Sequence, residues 1–160
     1  MRRKDRELMD IEGIEEILLQ CKSCHVAMID GASPYVVPLS YGYRIIDGNT
    51  LELYLHSALE GRKIDALKRN GKVCFAITNE GDPIRSEIPC NSGQYYASVI
   101  GFGEAVFLED AGQKSEALRI LFKHQTGRDV SFTAGQTESV CVFTIVSTDF
   151  TGKKKPHPAM

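Results

Sequence analysis

The chain has 160 residues, of which 42% are hydrophobic and 25% charged, a composition typical of one soluble globular domain. Its formal net charge of −2 gives no electrostatic reason to expect nucleic acid. No apolar run approaches the roughly 18 residues that a membrane helix needs. The basic N-terminus is not followed by an apolar signal segment, so we expect a cytoplasmic protein.

The first predicted helix covers residues 11–20. Asp10 can cap its N-terminus, acidic residues crowd its first turns, and isoleucine and leucine recur on one face.

A C-x-x-C-H motif follows this helix, formed by Cys21, Cys24 and His25. This is the spacing of covalent haem attachment, but such attachment in most settings requires export, for which no signal is visible. A zinc site would need further ligands, and the other three cysteines are scattered along the chain. We therefore expect Cys21 to end the helix, Cys24 to begin a strand, and His25 to be a structural or edge residue.

Hairpin signals dominate the next part of the chain. Residues 25–30 and 34–43 are predicted strands joined by a tight turn, and residues 44–46 and 51–57 form a second hairpin around Asp47-Gly48-Asn49. A helix is then predicted over residues 57–70, with Ser57 and Glu60 at the spacing of a capping box.

The second half continues with a strand over residues 73–80, a loop over 81–94, a long strand over 95–110, a helix over 112–127 and a final strand over 139–150. Gly101 and Gly103 predict a bend or a close backbone approach in the long strand. Hairpin connections imply mostly antiparallel pairing. We expect a mainly β fold, a small barrel with helices outside, as one domain over residues 1–160.

The last ten residues, 151–160, are predicted to be a basic tail. Its lysine run, residues 153–155, is usually solvated, although an anion contact is the alternative. His157 lies in this tail, and His124 is predicted near the C-terminal end of a helix, where imidazolium suits the helix dipole.

The junction of a strand and a helix at residues 55–67 is the most informative segment. His56 and Ser57 end the strand, and Arg62 and Lys63 lie in the first turns of the helix. Backbone N–H groups at a helix start favour an anion, and a hydroxyl with two cations would complete a phosphate site. The alternative is a plain capping box with two exposed basic residues, and for His56 a polar residue at an exposed strand end.

Four segments together resemble the pyridoxamine-phosphate-oxidase-like FMN-binding split barrels, and most closely their nitroimidazole-resistance branch. The segments are MRRKDRE, PYVVPLSYGY, LYLHSALEGRKIDALKRN and a Y-x-S-V-x-G-x-G pattern that begins at Tyr96. The ending Thr151-Gly152-Lys153 also fits. This resemblance implies a Greek-key-like split barrel with flanking helices and FMN as cofactor.

The resemblance also implies which residues hold the flavin. Arg62 and Lys63 match the phosphate-binding pair, and His56 and Ser57 match the strand end that meets the phosphate and ribityl chain. The segment along the isoalloxazine ring would be formed by Val37, Pro38, Leu39, Ser40 and Tyr41. Tyr96 and Ser98 fall on a strand that reaches toward the flavin, and Lys153 joins the cofactor-binding set on the same resemblance.

The expected function is an FMN-dependent reductase of small electron-poor molecules, in which His56 is the catalytic candidate. The resemblance further implies a homodimer with flavin near the subunit interface. A non-catalytic module that stores or senses flavin or haem is the alternative. An oxidase of pyridoxamine phosphate is a third, for which no second basic cluster is visible.

Overall fold

A computed structural model describes residues 3–8 and 10–155 of the chain. It contains eight strands, four α-helices and two short 3₁₀ turns in the described part. The strands are β1 Glu7–Leu8, β2 Ser23–Asp30, β3 Ser33–Ser40, β4 Gly42–Ile46, β5 Thr50–Ser57, β6 Lys72–Ile84, β7 Gly93–Phe107 and β8 Cys141–Lys155. The helices are α1 Ile11–Gln20, α2 Arg62–Arg69, α3 Ala111–Thr126 and α4 Ala134–Glu138, and the 3₁₀ turns are Lys4–Arg6 and Pro89–Asn91.

All strands join one antiparallel sheet, in the order β3-β2-β6-β7-β8-β5-β4, with β1 paired to β8. The sheet curls until β3 also lies against β5, although these two strands are not hydrogen-bonded neighbours. The predicted mainly β fold of antiparallel strands with flanking helices is therefore confirmed.

The core lies inside the curled sheet because residues on β5 alternate between its two faces. Leu51, Leu53 and Leu55 face the main apolar cluster, to which α1 and α2 also contribute. Tyr54 faces the other side, where a smaller cluster forms beneath α3 with Leu118. Strand β5 thus separates an inner core from an outer one, which decides where its last two residues point.

Two glycines permit close packing that no other residue would allow. A Cβ atom on Gly42 would lie 2.5 Å from the Cα atom of Leu121, so β4 meets the backbone of α3 directly. A Cβ atom on Gly103 would lie 2.5 Å from the carbonyl oxygen of Val146, where the β7–β8 register shifts. The predicted close approach in the long strand is confirmed at this position.

The structure corrects several predicted boundaries. Ser57 does not cap a helix: β5 continues through it, paired with Cys141, and α2 begins only at Arg62. The segment predicted as a loop extends both flanking strands, to Ile84 and from Gly93. The sequence pattern also missed α4.

The predicted basic tail is wrong for residues 151–155, which belong to β8 and pair with β7. The rest of that tail, including His157, lies outside the described residues. For the described ranges, no helix combines the length and the apolar character that crossing a membrane would require.

Candidate functional site

The end of β5 places one polar atom inside the protein without a partner. Ser57 follows the inward-facing leucines of β5 at the same alternation, and it is 7% exposed. Its hydroxyl oxygen is buried and has no hydrogen-bond partner among the described residues. Leaving a buried hydroxyl unsatisfied costs about 1–3 kcal/mol, and an anionic oxygen is the kind of ligand group that would satisfy it.

Helix α2 begins five residues later and carries two cations in its first turn. The backbone of Gly61 adopts a φ of +134°, a conformation that L side chains rarely take. The carbonyl of this N-cap residue then accepts hydrogen bonds from the amides of Ile64 and Asp65. Because the helix begins at Arg62, the cationic side chains Arg62 and Lys63 lie at its positive end.

The two cations have different surroundings. Arg62 donates from Nε to Asp30 Oδ2 at 2.7 Å, and its guanidinium lies 4.3 Å from the ring centroid of Tyr35. Arg69 also pairs with Asp30, and the two arginines, Arg62 first, hold the pKa of this carboxyl below its usual range. Lys63 is partly buried and forms no ion pair within residues 3–8 and 10–155. Lys63 is therefore the freer cation for an incoming anion, whereas Arg62 would have to share or leave Asp30.

His56 faces away from Ser57 because adjacent residues of a strand point to opposite sides of the sheet. It lies on the outer side of β5, on the same side as Tyr54. Although part of its side chain reaches solvent, burial lowers the pKa of His56, and the positive charge of Lys63 lowers it further. The strand-end pair predicted to meet one ligand therefore presents its two side chains on different faces.

The segment predicted to flank a flavin ring is divided in a similar way. Val37 and Leu39 pack against the inner core, whereas Pro38 and Ser40 are exposed on the outer face. Tyr41 is fully buried after the end of β3, where its hydroxyl donates to the carbonyl of Leu18 at 2.7 Å. The side chain of Tyr41 thus belongs to the core, and the place of this segment beside a ligand stays a prediction.

Tyr96, Ser98 and Lys153 form a separate cluster at the far end of β7 and β8. Ser98 pairs in register with Lys153, and the Lys153 ammonium lies 5.2 Å from the ring centroid of Tyr96. Arg6 donates to the Tyr96 hydroxyl at 3.0 Å. Arg6 first, and then Lys153, lower the pKa of Tyr96. Arg6 was not predicted as a site residue, since only its place beside β8 in the fold brings it to Tyr96.

These two groups of candidate residues lie far apart within one chain. Ser57 pairs with Cys141 at the start of β8, whereas Ser98 pairs with Lys153 near its end. At about 3.3 Å per residue, about 40 Å of strand separates the two pairs. A single chain therefore places these two groups of candidate residues near opposite ends of β8.

The outer face of β3, β2, β6 and β7 exposes a continuous apolar surface. In one cross-strand row, Val36 lies opposite Ala27, which lies opposite Cys74, which lies opposite Phe102. Val36 is 53% exposed and Phe102 58% exposed, and Ile29 and Ile100 expose nearly half of their surface on the same face. We call this surface, defined by Ile29, Val36, Ile100 and Phe102, the apolar sheet face.

The C-x-x-C-H segment is structural in this fold. Cys21 is the C-cap of α1, and Cys24 lies one residue inside β2, where its side chain is fully buried. Burial raises the pKa of the Cys24 thiol to about 12. Within the described ranges no three potential metal-ligating side chains converge. His25 is an exposed residue of β2.

A curled antiparallel sheet with flanking helices is the architecture of a split barrel. The sequence profile of the family described as pyridoxamine 5'-phosphate oxidase matches residues 10–154. The chain therefore belongs to the pyridoxamine 5'-phosphate oxidase family.

Within this family the chain is similar to a candidate 5-nitroimidazole antibiotic resistance protein from Bacteroides thetaiotaomicron. The two are 33% identical, with a TM-score of 0.80, over 92% of this chain and 86% of that one. Among the curated proteins, none gives a significant match to this chain.

Two more distant structures share the fold. An FAD- and haem-binding protein from Mycobacterium smegmatis is 17% identical, with a TM-score of 0.79, over 96% of this chain and 77% of that one. An FAD-binding protein from Mesorhizobium loti is 23% identical, with a TM-score of 0.67, over 94% of this chain and 98% of that one.

Proposed function

We propose that this protein binds FMN, with the phosphate at the junction of β5 and α2. The observation that carries the proposal is the buried Ser57 hydroxyl, which has no partner in the described part of the chain. The partly buried Lys63, without an ion pair there, supplies positive charge next to the start of α2. A hydroxyl, an ammonium and free amides at a helix start are the groups that recognise a phosphate.

Arg62 serves the same phosphate as a second cation in this proposal. Its present partner, Asp30, is an acceptor that a dianionic phosphate would compete with, and an exposed ion pair of this kind is worth only about 0–1 kcal/mol. The cost of freeing Arg62 is therefore small compared with a charge-assisted bond to phosphate, about 1.5–3 kcal/mol.

The protein acts as a homodimer in this proposal, with the flavin near the subunit interface. The apolar sheet face is the surface that a second copy would cover, because exposed Val36 and Phe102 lie in one row across four strands. A two-fold axis through this face would pack the apolar sheet face of one subunit against the same face of its partner. Tyr96, Ser98 and Lys153 of one copy would then complete the site that starts at Ser57 of its partner.

The activity we propose is the reduction of small electron-poor molecules, with nitroimidazoles as the substrate class suggested by the relative from Bacteroides thetaiotaomicron. Bound flavin supplies the capacity to deliver a hydride to such a molecule. The chain itself binds and orients the cofactor at Ser57 and Lys63. Burial, and then the charge of Lys63, lower the pKa of His56 and so favour its neutral form, which has one ring N–H and one ring acceptor nitrogen.

Titration of the purified protein with FMN, followed by visible absorbance and by quenching of flavin fluorescence, tests the binding. We expect one FMN per chain at micromolar affinity. Replacing Lys63 with alanine should weaken binding about 10-fold or more, since a charge-assisted bond is lost. Lys123→Ala, which removes the same charge from an exposed lysine of α3 that pairs with Asp129, is the matched control and should leave the affinity unchanged. An unaltered affinity in Lys63→Ala would contradict the phosphate site.

A flavin- or haem-binding module without turnover is the second candidate. It is favoured by the fold shared with the FAD- and haem-binding protein of Mycobacterium smegmatis. Anaerobic mixing of the reduced FMN complex with a nitroimidazole separates the two candidates. Flavin reoxidation together with loss of the nitro absorbance supports the reductase, and a reduced flavin that stays reduced supports the module.

A further inference from the structure

A cavity of about 190 Å³ lies on the outer side of β5, between this strand and helices α3 and α4. His56 lies at this cavity, and the other lining residues are Leu118, Leu121, Phe122, Phe132, Gln136 and Val140. Ser57 points to the opposite face of β5, into the barrel. This outer cavity is therefore a different place from the proposed phosphate site.

The walls of the outer cavity are apolar and aromatic. Leu118 and Leu121 are buried on the face of α3 that lies over the sheet. Phe122 and Phe132 meet edge to face, with ring centroids 6.0 Å apart. The outer cavity opens to solvent at His56 and Gln136, which are exposed, and its volume accommodates one six-membered ring with a small substituent.

His56 is the polar group that distinguishes the outer cavity from an ordinary packing gap. Its imidazole makes no hydrogen bond to any residue in the described ranges, and burial first and then the charge of Lys63 lower its pKa, which favours the neutral ring. A neutral imidazole can accept one hydrogen bond and donate another. The charge of Lys63, which lowers the pKa of His56, also disfavours a cationic ligand at this position.

The second polar group at the cavity is already engaged in local structure. The side-chain oxygen of Gln136 accepts from the backbone amide of Thr133 at 2.8 Å and closes the N-terminal turn of α4. His56 is thus the group available to orient a ligand, and the aromatic and leucine side chains provide the contact surface.

We propose that the outer cavity binds a small uncharged aromatic ring that carries one hydroxyl or comparable polar substituent, and that His56 forms a hydrogen bond to this substituent. The ring occupies the space between the leucines of α3 and the two phenylalanines. None of the residues assigned to the FMN phosphate lines the outer cavity, so its test can fail or succeed whether or not FMN binds.

Phenol is the probe, titrated into the full chain with methyl-labelled leucine and valine and followed by NMR. We expect saturable shifts concentrated on the methyl groups of Leu118, Leu121 and Val140. Val140→Phe fills the cavity from its rim and should weaken phenol binding at least 10-fold. Val106→Phe adds the same side chain at an exposed position outside the cavity and should bind phenol as the original chain does.

The role of His56 is tested with toluene, which has the ring but no hydroxyl. His56→Ala should weaken phenol binding about 3- to 10-fold, the worth of one hydrogen bond, and leave toluene binding unchanged. His56→Gln, which keeps a donor and an acceptor, should recover part of the loss.

Three results would overturn the proposal. One is the absence of saturable phenol binding up to about 10 mM, since a ring that fits an apolar cavity should bind at least that tightly. Another is a folded Val140→Phe variant with unaltered affinity. The third is an equal loss for phenol and toluene in His56→Ala, which also decides the matter if Val140→Phe does not fold.

Discussion

Replacing Ser57 with alanine should make the ligand-free protein more stable and its flavin complex weaker. The Ser57 hydroxyl is buried without a partner in the described part of the chain. Removing it relieves a desolvation cost of about 1–2 kcal/mol, which for a chain of this size raises the melting temperature by about 2–8 °C. If the same hydroxyl donates to a phosphate oxygen, its loss weakens FMN binding about 10- to 150-fold.

Thermal melts with and without saturating FMN, together with FMN titration by fluorescence, measure both effects. Ser147→Ala is the matched control, because Ser147 is also buried but its hydroxyl donates to the carbonyl of Phe102 at 2.6 Å. That variant should lose stability with or without flavin. The reasoning would be refuted if Ser57→Ala melted below the original chain in the absence of FMN and bound FMN equally well.

Three further predictions concern the assembly, the packing and the surface charges. Phe102→Asp should convert a dimer to monomers in analytical ultracentrifugation and should weaken FMN binding. Ile46→Asp places the same charge on an exposed residue of β4 and should leave a dimer. A dimeric Phe102→Asp variant would exclude the apolar sheet face as the interface. Gly42→Ala forces a methyl group into the backbone of α3 and should lower the free energy of unfolding by about 1–3 kcal/mol; an unchanged denaturation midpoint would contradict the close approach. The hydrogen bond from Arg119 is the main reason that the pKa of Glu116 is lowered to about 2. Because an unfolded glutamate titrates at about pH 4.3, this pair stabilises the folded state fully above that pH. The stabilisation is lost as the pH falls toward 2. Glu116→Gln should therefore lower the free energy of unfolding by about 0.5–1 kcal/mol at pH 7 and should not change it near pH 2. Equal losses of unfolding free energy at the two pH values, measured by chemical denaturation, would show that charge is not the cause.

The elements that the sequence predicted well are those whose signals are local. Asp10 caps α1 through a hydrogen bond from the amide of Gly13, at the position that the cap preference indicates. The hairpin at Asp47-Gly48-Asn49 forms because residues that tolerate positive φ occupy its turn, and Asp47 and Gly48 adopt it. The inward leucines of β5 follow from strict alternation.

The errors occurred where a long-range contact overrides a local signal. Ser57 and Glu60 have the spacing of a capping box, but pairing of Ser57 with Cys141 keeps the residue in β5. The S-x-x-E pattern carries no information about that partner. Lys153 through Lys155 are charged enough to suggest a tail, yet β7 offers a complete edge for them to pair with. The three lysine side chains are only partly buried, so their backbone can pair with β7 without full burial of their charges.

The candidate site was predictable in residue type and not in geometry. The sequence places a hydroxyl and two cations near a helix start, but it does not reveal that Asp30 already holds Arg62. It also does not reveal that Arg6 reaches Tyr96, because residues so far apart in the chain meet only through the pairing of β1 with β8. The opposite directions of His56 and Ser57 follow only once the strand is known to continue through both.

A crystal structure of the protein with FMN tests the central claim most directly. Our account predicts the FMN phosphate within hydrogen-bond distance of the Ser57 hydroxyl and of the Lys63 ammonium, at the start of α2. A flavin phosphate bound elsewhere, with the Ser57 hydroxyl still buried and unpaired, would contradict it.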